Sequence, residues 1–379
     1  MSLVKFPQRV FLVLAGNIKE LPTMQLSVQE ILGLLLLYQE ETRNKMVSEN
    51  NDRRMVEENE SPQFGKMVFL IIIALALTSF PPLSILAPAP IAFGLLLFGR
   101  RRGLVMAGAY VVALSFLSYY YPKIFPLLGP IAFAMALVGY LLAEVVLRKI
   151  PPRKGMVYSG LALFLGMGLI VGLATMATDF SIEKLIEVKV VEVIEEFKAS
   201  NKLDGLKAQS GEEARALLDV INNPKTLVKK IVTWLPAGVF VSTIFAVWAC
   251  LYVILRNSLL WRGKVSYPFG LRDLLNFKVP DYFVWPLIGA LALTLGGDYL
   301  LGETGVIVGT NLLYILGIFY FFQGFGVLVD FMDHLKIYGF FRTLLMAFIF
   351  FMAWKVLVIV GVFDLWVNFR KFLKKKESK

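Results

Sequence analysis

Few residues in this chain combine reactive chemistry with a setting in which it would act. Glu144 lies in an apolar run with Arg148 four residues on, a spacing that puts carboxylate and guanidinium on one helix face, so a local ion pair is the first reading and a transport role the second. Asp298 and Glu303 flank a short turn after Gly296-Gly297 and read as solvated. Asp364 is the most suggestive acid. It sits in Gly361-Val362-Phe363-Asp364-Leu365-Trp366, close to Asn368 and Arg370, and an ionisable group inside an apolar segment is expensive enough to mark either a pair or a function. Arg342 and Arg370 are the available partners. Thr78, Thr294, Thr310, Asn311 and Gln323 are neutral polar groups within apolar runs, suited to hydrogen bonds between helices or to a ligand.

Proline adds a second kind of signal. Pro81, Pro82, Pro88 and Pro90 interrupt the first two apolar segments, and Pro122, Pro126 and Pro130 flank the next two. Each removes or displaces backbone hydrogen bonds, and irregular backbone at membrane depth is tolerated where it is buried in protein or lines a cavity. Ordinary extracytoplasmic turns are the competing reading. Thr78, Pro88, Pro90, Asn311, Gln323 and Asp364 are therefore the candidate ligand-binding set. Small residues four apart let helices approach closely. Gly168 with Gly172 and Gly305 with Gly309 are the candidate packing pairs, and Ala109 with Ala113 and Ala132 with Ala136 are weaker ones.

Other chemistries have no support. One cysteine, Cys250, and one histidine, His334, exclude an intramolecular disulfide, a thiolate cluster and a histidine-based metal site. No phosphate-binding loop, paired-histidine protease motif or nucleophile elbow occurs, so neither an enzyme nor a cofactor is expected. The net charge of +11 fits basic loops beside anionic lipid rather than nucleic acid, for which no recognition motif is present.

The elements that must carry these residues are membrane helices. The chain has 379 residues, 57% hydrophobic, with a mean hydropathy of +0.68, against about 45–50% apolar in soluble domains. Ten apolar stretches follow one another: Met67–Phe80, Leu83–Gly99, Leu104–Tyr121, Ile124–Leu147, Met156–Ala177, Ile231–Leu255, Tyr282–Leu295, Val306–Val329, Phe340–Trp354 and Val356–Trp366, with Lys355 between the last two. They lack the alternating period of barrel strands. The fold class is all-α, a polytopic transmembrane bundle of about 8–10 segments. Residues 1–62 are expected to form a cytoplasmic amphipathic helix and polar linker, opened by the capping box Ser27-Val28-Gln29-Glu30. Membrane helices follow over 63–178 and 231–370, separated by a helical insert at 179–230, with ten acidic residues against nine basic ones. Within it Ile182, Leu185, Ile186, Val190, Val193, Ile194 and Phe197 recur at helical spacing, and Ser210-Gly211-Glu212-Glu213 opens a second short helix. Residues 371–379 form a basic tail.

Positive loops mark the cytoplasmic side. Placing Arg100-Arg101-Arg102 inside puts Arg148–Lys154, Arg256–Lys278 and Asp330–Lys336 inside as well, and the insert outside. The basic tail also falls inside if the last stretch turns back near Lys355 as a two-legged hairpin. A single crossing would leave it outside.

Three stretches together carry a family resemblance. They are Leu86-Ala87-Pro88-Ala89-Pro90 running to Gly99-Arg100-Arg101-Arg102-Gly103, Tyr320-Phe321-Phe322-Gln323-Gly324-Phe325-Gly326, and Gly361-Val362-Phe363-Asp364-Leu365-Trp366-Val367-Asn368-Phe369-Arg370. Over roughly residues 66–372 the chain resembles the YybS-like bacterial membrane proteins, a family of unknown function grouped with the substrate-binding S components of energy-coupling-factor transporters. The resemblance implies an S-component-like helical core, a bacterial inner membrane and a membrane partner subunit. S components commonly carry Ala-x-x-x-Ala in their first helix. Here the first segment offers only Ala74 and Ala76, and Ala109 with Ala113 has the spacing on a later one. Two functions are expected in consequence: a component that binds or transports a small solute, or a membrane scaffold or assembly factor without a small ligand.

Overall fold

The computed structural model describes residues 60–121, 128–177, 181–199, 211, 218 and 221–374. The expected N-terminal amphipathic helix and the capping box at Ser210 lie outside them, as do Pro122 and Pro126. The chain divides into two compact units, residues 1–66 and 67–379, and the second carries the membrane helices. Among the described residues there is no strand. The helices are α1 (Glu60–Ser79), α2 (Pro88–Tyr120), α3 (Leu128–Leu147), α4 (Pro152–Ala177), α5 (Ile182–Ala199), α6 (Pro224–Arg256), α7 (Leu271–Leu275), α8 (Val284–Leu301), α9 (Glu303–His334), α10 (Gly339–Met352), α11 (Trp354–Val367) and α12 (Phe369–Lys374).

Among the described residues each of the ten apolar stretches contributes to a helix, but not all of these helices are long. Five helices are long and apolar enough to cross a membrane, or six when α10 and α11, bent by 92° at their junction, are taken as one broken span. The lower number than the expected 8–10 reflects short segments rather than missing ones. The apolar side chains around the bundle point outward: Phe116, Leu169, Ile170, Trp285 and Phe340 are all more than half exposed, which a water-facing surface would not sustain. The polar groups Thr78, Glu144, Ser159, Gln323 and Asp364 are buried instead.

Gly99 sets the course of α2. Its φ of 80° and ψ of 171° fall in a region that only glycine occupies readily. A Cβ on Gly103 would lie 2.6 Å from the Leu95 Cα, and one on Gly94 2.1 Å from the Met106 side chain. Residues eight apart on a continuous helix are separated by roughly 12 Å, so α2 is two arms folded back at Gly99. The first arm, Pro88–Phe98, is roughly 16 Å long and too short to span. Every residue from Pro88 to Leu96 is buried, as expected of a helix apolar all round. Pro88 and Pro90 do not break this segment. They occupy its first turn, where helical amides have no internal partner. Among the described residues, a proline well inside a helix is Pro236, in α6.

One end of the bundle gathers the basic connections. Glu144, at the end of α3, is held by Arg100 at 2.8 Å and by Arg148 at 2.7 Å. Tyr267 donates to the Ile150 carbonyl at 2.8 Å, and burial pushes its hydroxyl up, so it stays a protonated donor. Arg153 donates to the Asn276 carbonyl at 3.2 Å. Asp333 pairs with Arg272 and with Arg342. Arg370, after α11, donates to the Phe277 carbonyl at 3.1 Å. The end of α11 thus returns to the end from which α10 leaves, as the two-legged hairpin requires. At the opposite end Lys229 pairs with Glu303 at 2.7 Å, and α5 packs on α6. At roughly 50 Å, α6 exceeds the hydrocarbon thickness by several turns.

Candidate functional site

The six sequence-derived ligand candidates do not converge on one cavity. Four of them spend their polar groups, or their shape, on the fold itself. The Thr78 hydroxyl donates to the Ala74 carbonyl at 2.8 Å and shares a 2.6 Å hydrogen bond with Tyr110, tying α1 to α2. Pro88 and Pro90 start the buried arm. Asn311 bonds to the backbone of α6 on either side of Pro236. Its Oδ1 accepts from the Ala237 amide at 3.1 Å, and its Nδ2 donates to the Thr233 and Ile307 carbonyls, both at 2.9 Å. In an unbroken helix the Ala237 amide and the Thr233 carbonyl would pair with each other.

Gln323 and Asp364 do meet. The fully buried Gln323 carboxamide accepts from the Val279 amide at 2.8 Å and donates to Asp364 Oδ2 at 3.0 Å. Arg370 lies beside them, donating to the Gln323 carbonyl at 2.8 Å, with its Nε 3.9 Å from Asp364 Oδ2 and from Asp330 Oδ2. Asp364 Oδ1, Asp330 Oδ2 and Arg370 Nε have no hydrogen-bond partner among the described residues. The close approach of α9 and α11 that buries this cluster depends on glycine. A Cβ on Gly324 would fall 1.9 Å from the Leu357 carbonyl oxygen, and one on Gly361 at 1.9 Å from that of Tyr320. The cluster is thus a buried ion network clamping α9, α11 and the connection before α8 together.

The two glycine pairs behave differently. A Cβ on Gly309 would sit 2.6 Å from the Thr294 amide nitrogen, and one on Gly305 2.9 Å from the Gly297 carbonyl oxygen, so this pair seats α9 against α8. Gly168 and Gly172 meet nothing within 4 Å. The same spacing carries no packing there, because the second half of α4 runs past its neighbours with its side chains largely exposed.

A cavity lies elsewhere, between α6, α8, α9, α10 and α11. It has a volume of about 720 Å³ and is lined by Val241, Phe245, Leu287, Leu313, Tyr314, Gly317, Ile318, Phe321, Phe350, Val358 and Ile359. The polar residue types on its lining are Thr294, Thr310, Tyr314, Tyr320, Trp354 and Lys355. The Thr294 hydroxyl is engaged with the Ala290 carbonyl. The buried Tyr320 hydroxyl has no hydrogen-bond partner among the described residues. Volume and lining match small-molecule sites, which run about 300–1,000 Å³ with a few polar groups on apolar walls. Thr294 and Thr310 were visible in the sequence as polar groups within spans. Tyr320 and Lys355 were missed: a tyrosine in an aromatic run looks like packing, and Lys355 looked like a turn marker. No group of three or more His, Cys, Asp or Glu side chains among the described residues is placed to hold a metal ion.

The sequence model of a family described as "Predicted membrane protein (DUF2232)" matches residues 67–365, more than half of the chain. No curated protein and no solved structure matches.

Proposed function

The chain belongs to the DUF2232 family of predicted membrane proteins, and we propose that it is a binding component holding a small, largely apolar solute within its helical bundle. The observation that carries this reading is the cavity of about 720 Å³ within the bundle, its walls largely apolar with a few polar side chains, Thr294, Thr310 and Lys355 among them. The resemblance to YybS-like proteins and to S components supports the same reading. With the basic end in the cytoplasm of a bacterial inner membrane, capture would be from the outer face or the bilayer. A membrane partner subunit, rather than catalysis by this chain, would supply the energy for any movement. Gly317 supplies the test. It lines the cavity, and a Cβ added there meets nothing within 4 Å, so Gly317→Phe introduces a ring at the cavity wall from a position with room for its first carbon. A metabolite panel screened by thermal shift on the purified protein should yield a stabilising ligand, and Gly317→Phe should abolish that shift at an unchanged baseline Tm. Equal stabilisation of both proteins would refute the reading.

One observation favours the second function, a scaffold. α5 buries Ile194 but leaves Leu185, Val188 and Val193 more than half exposed, an apolar face suited to a protein partner. Crosslinking through these positions in intact cells should then recover one constant partner, and a failure to recover any would count against it.

A further inference from the structure

Lys355 stands apart from the other cations. The remaining described Lys and Arg side chains of the second unit lie in the basic connections and adjoining helix ends, or on α5 and the outer end of α6. Lys355 is the second residue of α11, where the chain turns back after α10. Phe350, just before that turn, packs on Phe321 and Phe245, with ring centroids 5.5 Å apart in both pairs. Phe321 is thirteen residues from the basic end of α9, roughly 20 Å along the axis, within a hydrocarbon core of roughly 30 Å. The turn therefore lies at membrane depth.

An ammonium there is costly unless a negative charge meets it. Lys355 has no acidic partner within ion-pair distance among the described residues. Its recorded contact is the face of Trp354, 5.7 Å from the ring centroid. It is exposed, and it lines the mid-bundle cavity together with Trp354, Val358 and Ile359. Tyr314, Trp354 and Ile359, also on the cavity wall, are 39%, 44% and 53% exposed, so the cavity opens on the lipid-facing side of the bundle. An apolar chamber, a sideways opening and one unneutralised cation at its edge define the shape and charge of what would fill it.

Resting on the cavity reading above, we propose that the ligand is a single-chain lipid anion, a long-chain carboxylate in its simplest form, that enters laterally from the bilayer. Its headgroup pairs with Lys355 and its chain lies along the apolar wall of α8 and α9. The charge selects against cationic amphiphiles, and the largely apolar lining against ligands that are polar throughout.

Trp354 lies on the cavity wall and reports on occupancy. Detergent-solubilised protein is titrated with a brominated sixteen-carbon carboxylic acid and with the matching brominated alcohol, following tryptophan quenching. Trp354→Phe identifies the part of the signal that belongs to this site. The acid should half-saturate at a concentration lower than the alcohol by about tenfold or more, the scale of one close charge pair. Lys355→Gln should bring the two together and Lys355→Arg should keep them apart. Equal quenching by acid and alcohol, unaffected by Lys355→Gln, overturns the anion and leaves the cavity reading standing. Quenching that persists in full in Trp354→Phe places the ligand elsewhere and also overturns it. Quenching by neither compound overturns it too, and a silent metabolite panel would then remove the cavity reading separately.

Discussion

At Pro236 the proline ring removes one helical donor from α6, and the Asn311 carboxamide occupies the opening beside it, bonding to Ala237 and Thr233. The arrangement predicts a specific coupling. Asn311→Leu leaves a buried amide and carbonyl without their partner and should destabilise the protein by about 1–3 kcal/mol. In a Pro236→Ala background the helix can pair Ala237 with Thr233 directly, so the same substitution should cost measurably less. Denaturant unfolding in detergent micelles of the two single variants and the double variant measures the difference, and equal costs in the two backgrounds would sink the idea. This bond was half legible in the sequence. Asn311 was visible as a polar group inside a span, but its partner was hidden because Pro236 sits 75 residues away and a proline inside a long apolar run announces no neighbour. Lys355 had the opposite fate. Its position in the last apolar stretch was plain, but its lack of an acidic partner is a property of tertiary packing that no local pattern carries.

Helix pairs in lipid gain no hydrophobic drive from meeting, so close packing through small residues decides which faces associate. Spacing alone made Gly168 with Gly172 and Gly305 with Gly309 equivalent, and the fold separates them. At Gly309 an added Cβ would be 2.6 Å from the backbone of α8, which cannot move aside as a flexible side chain would. Gly309→Leu should therefore cost on the order of 1–3 kcal/mol through overpacking and loosen α8 from α9. Gly168→Leu enters open space and should stay within about 0.5 kcal/mol of the parent. Thermal melts of the two variants in the same detergent check this, and a comparable loss from both would mean that α4 is packed through its outer half in the working protein. The course of α2 was easier to read. Three arginines after a glycine between two apolar runs fit a turn at the membrane surface, and Gly99 supplies it. What the pattern could not convey is that the arm before that turn is buried on every side, since a short apolar run reads alike whether it meets lipid or protein.

Across the whole molecule the basic segments around Arg100, Arg148, Tyr267, Asp333 and Arg370 are joined by hydrogen bonds and ion pairs into one end of the bundle. Charge alone suggested a shared side, because basic loops resist translocation. The contacts add that the end of α11 lies at the same end of the bundle as the start of α10; composition left open whether the final stretch is a hairpin or a single crossing. Chemical accessibility tests the arrangement directly. The one native cysteine, Cys250, is fully buried and donates to the Ile85 carbonyl, so the parent protein should be silent to a membrane-impermeant maleimide. Arg101, Lys154, Lys264, Lys336 and Lys371 are exposed at the basic end, and Lys184 and Lys225 at the other. Single cysteines at the first five positions should label as one group and those at the last two as another, from opposite sides of the membrane. With the basic end in the cytoplasm, the first group should label only after the cells are opened. Labelling of Lys371→Cys together with Lys184→Cys in intact cells would make α10 and α11 one crossing. It would also carry Lys355 through the membrane along a different path, so this experiment bears on the lateral opening of the cavity as well as on the position of the tail.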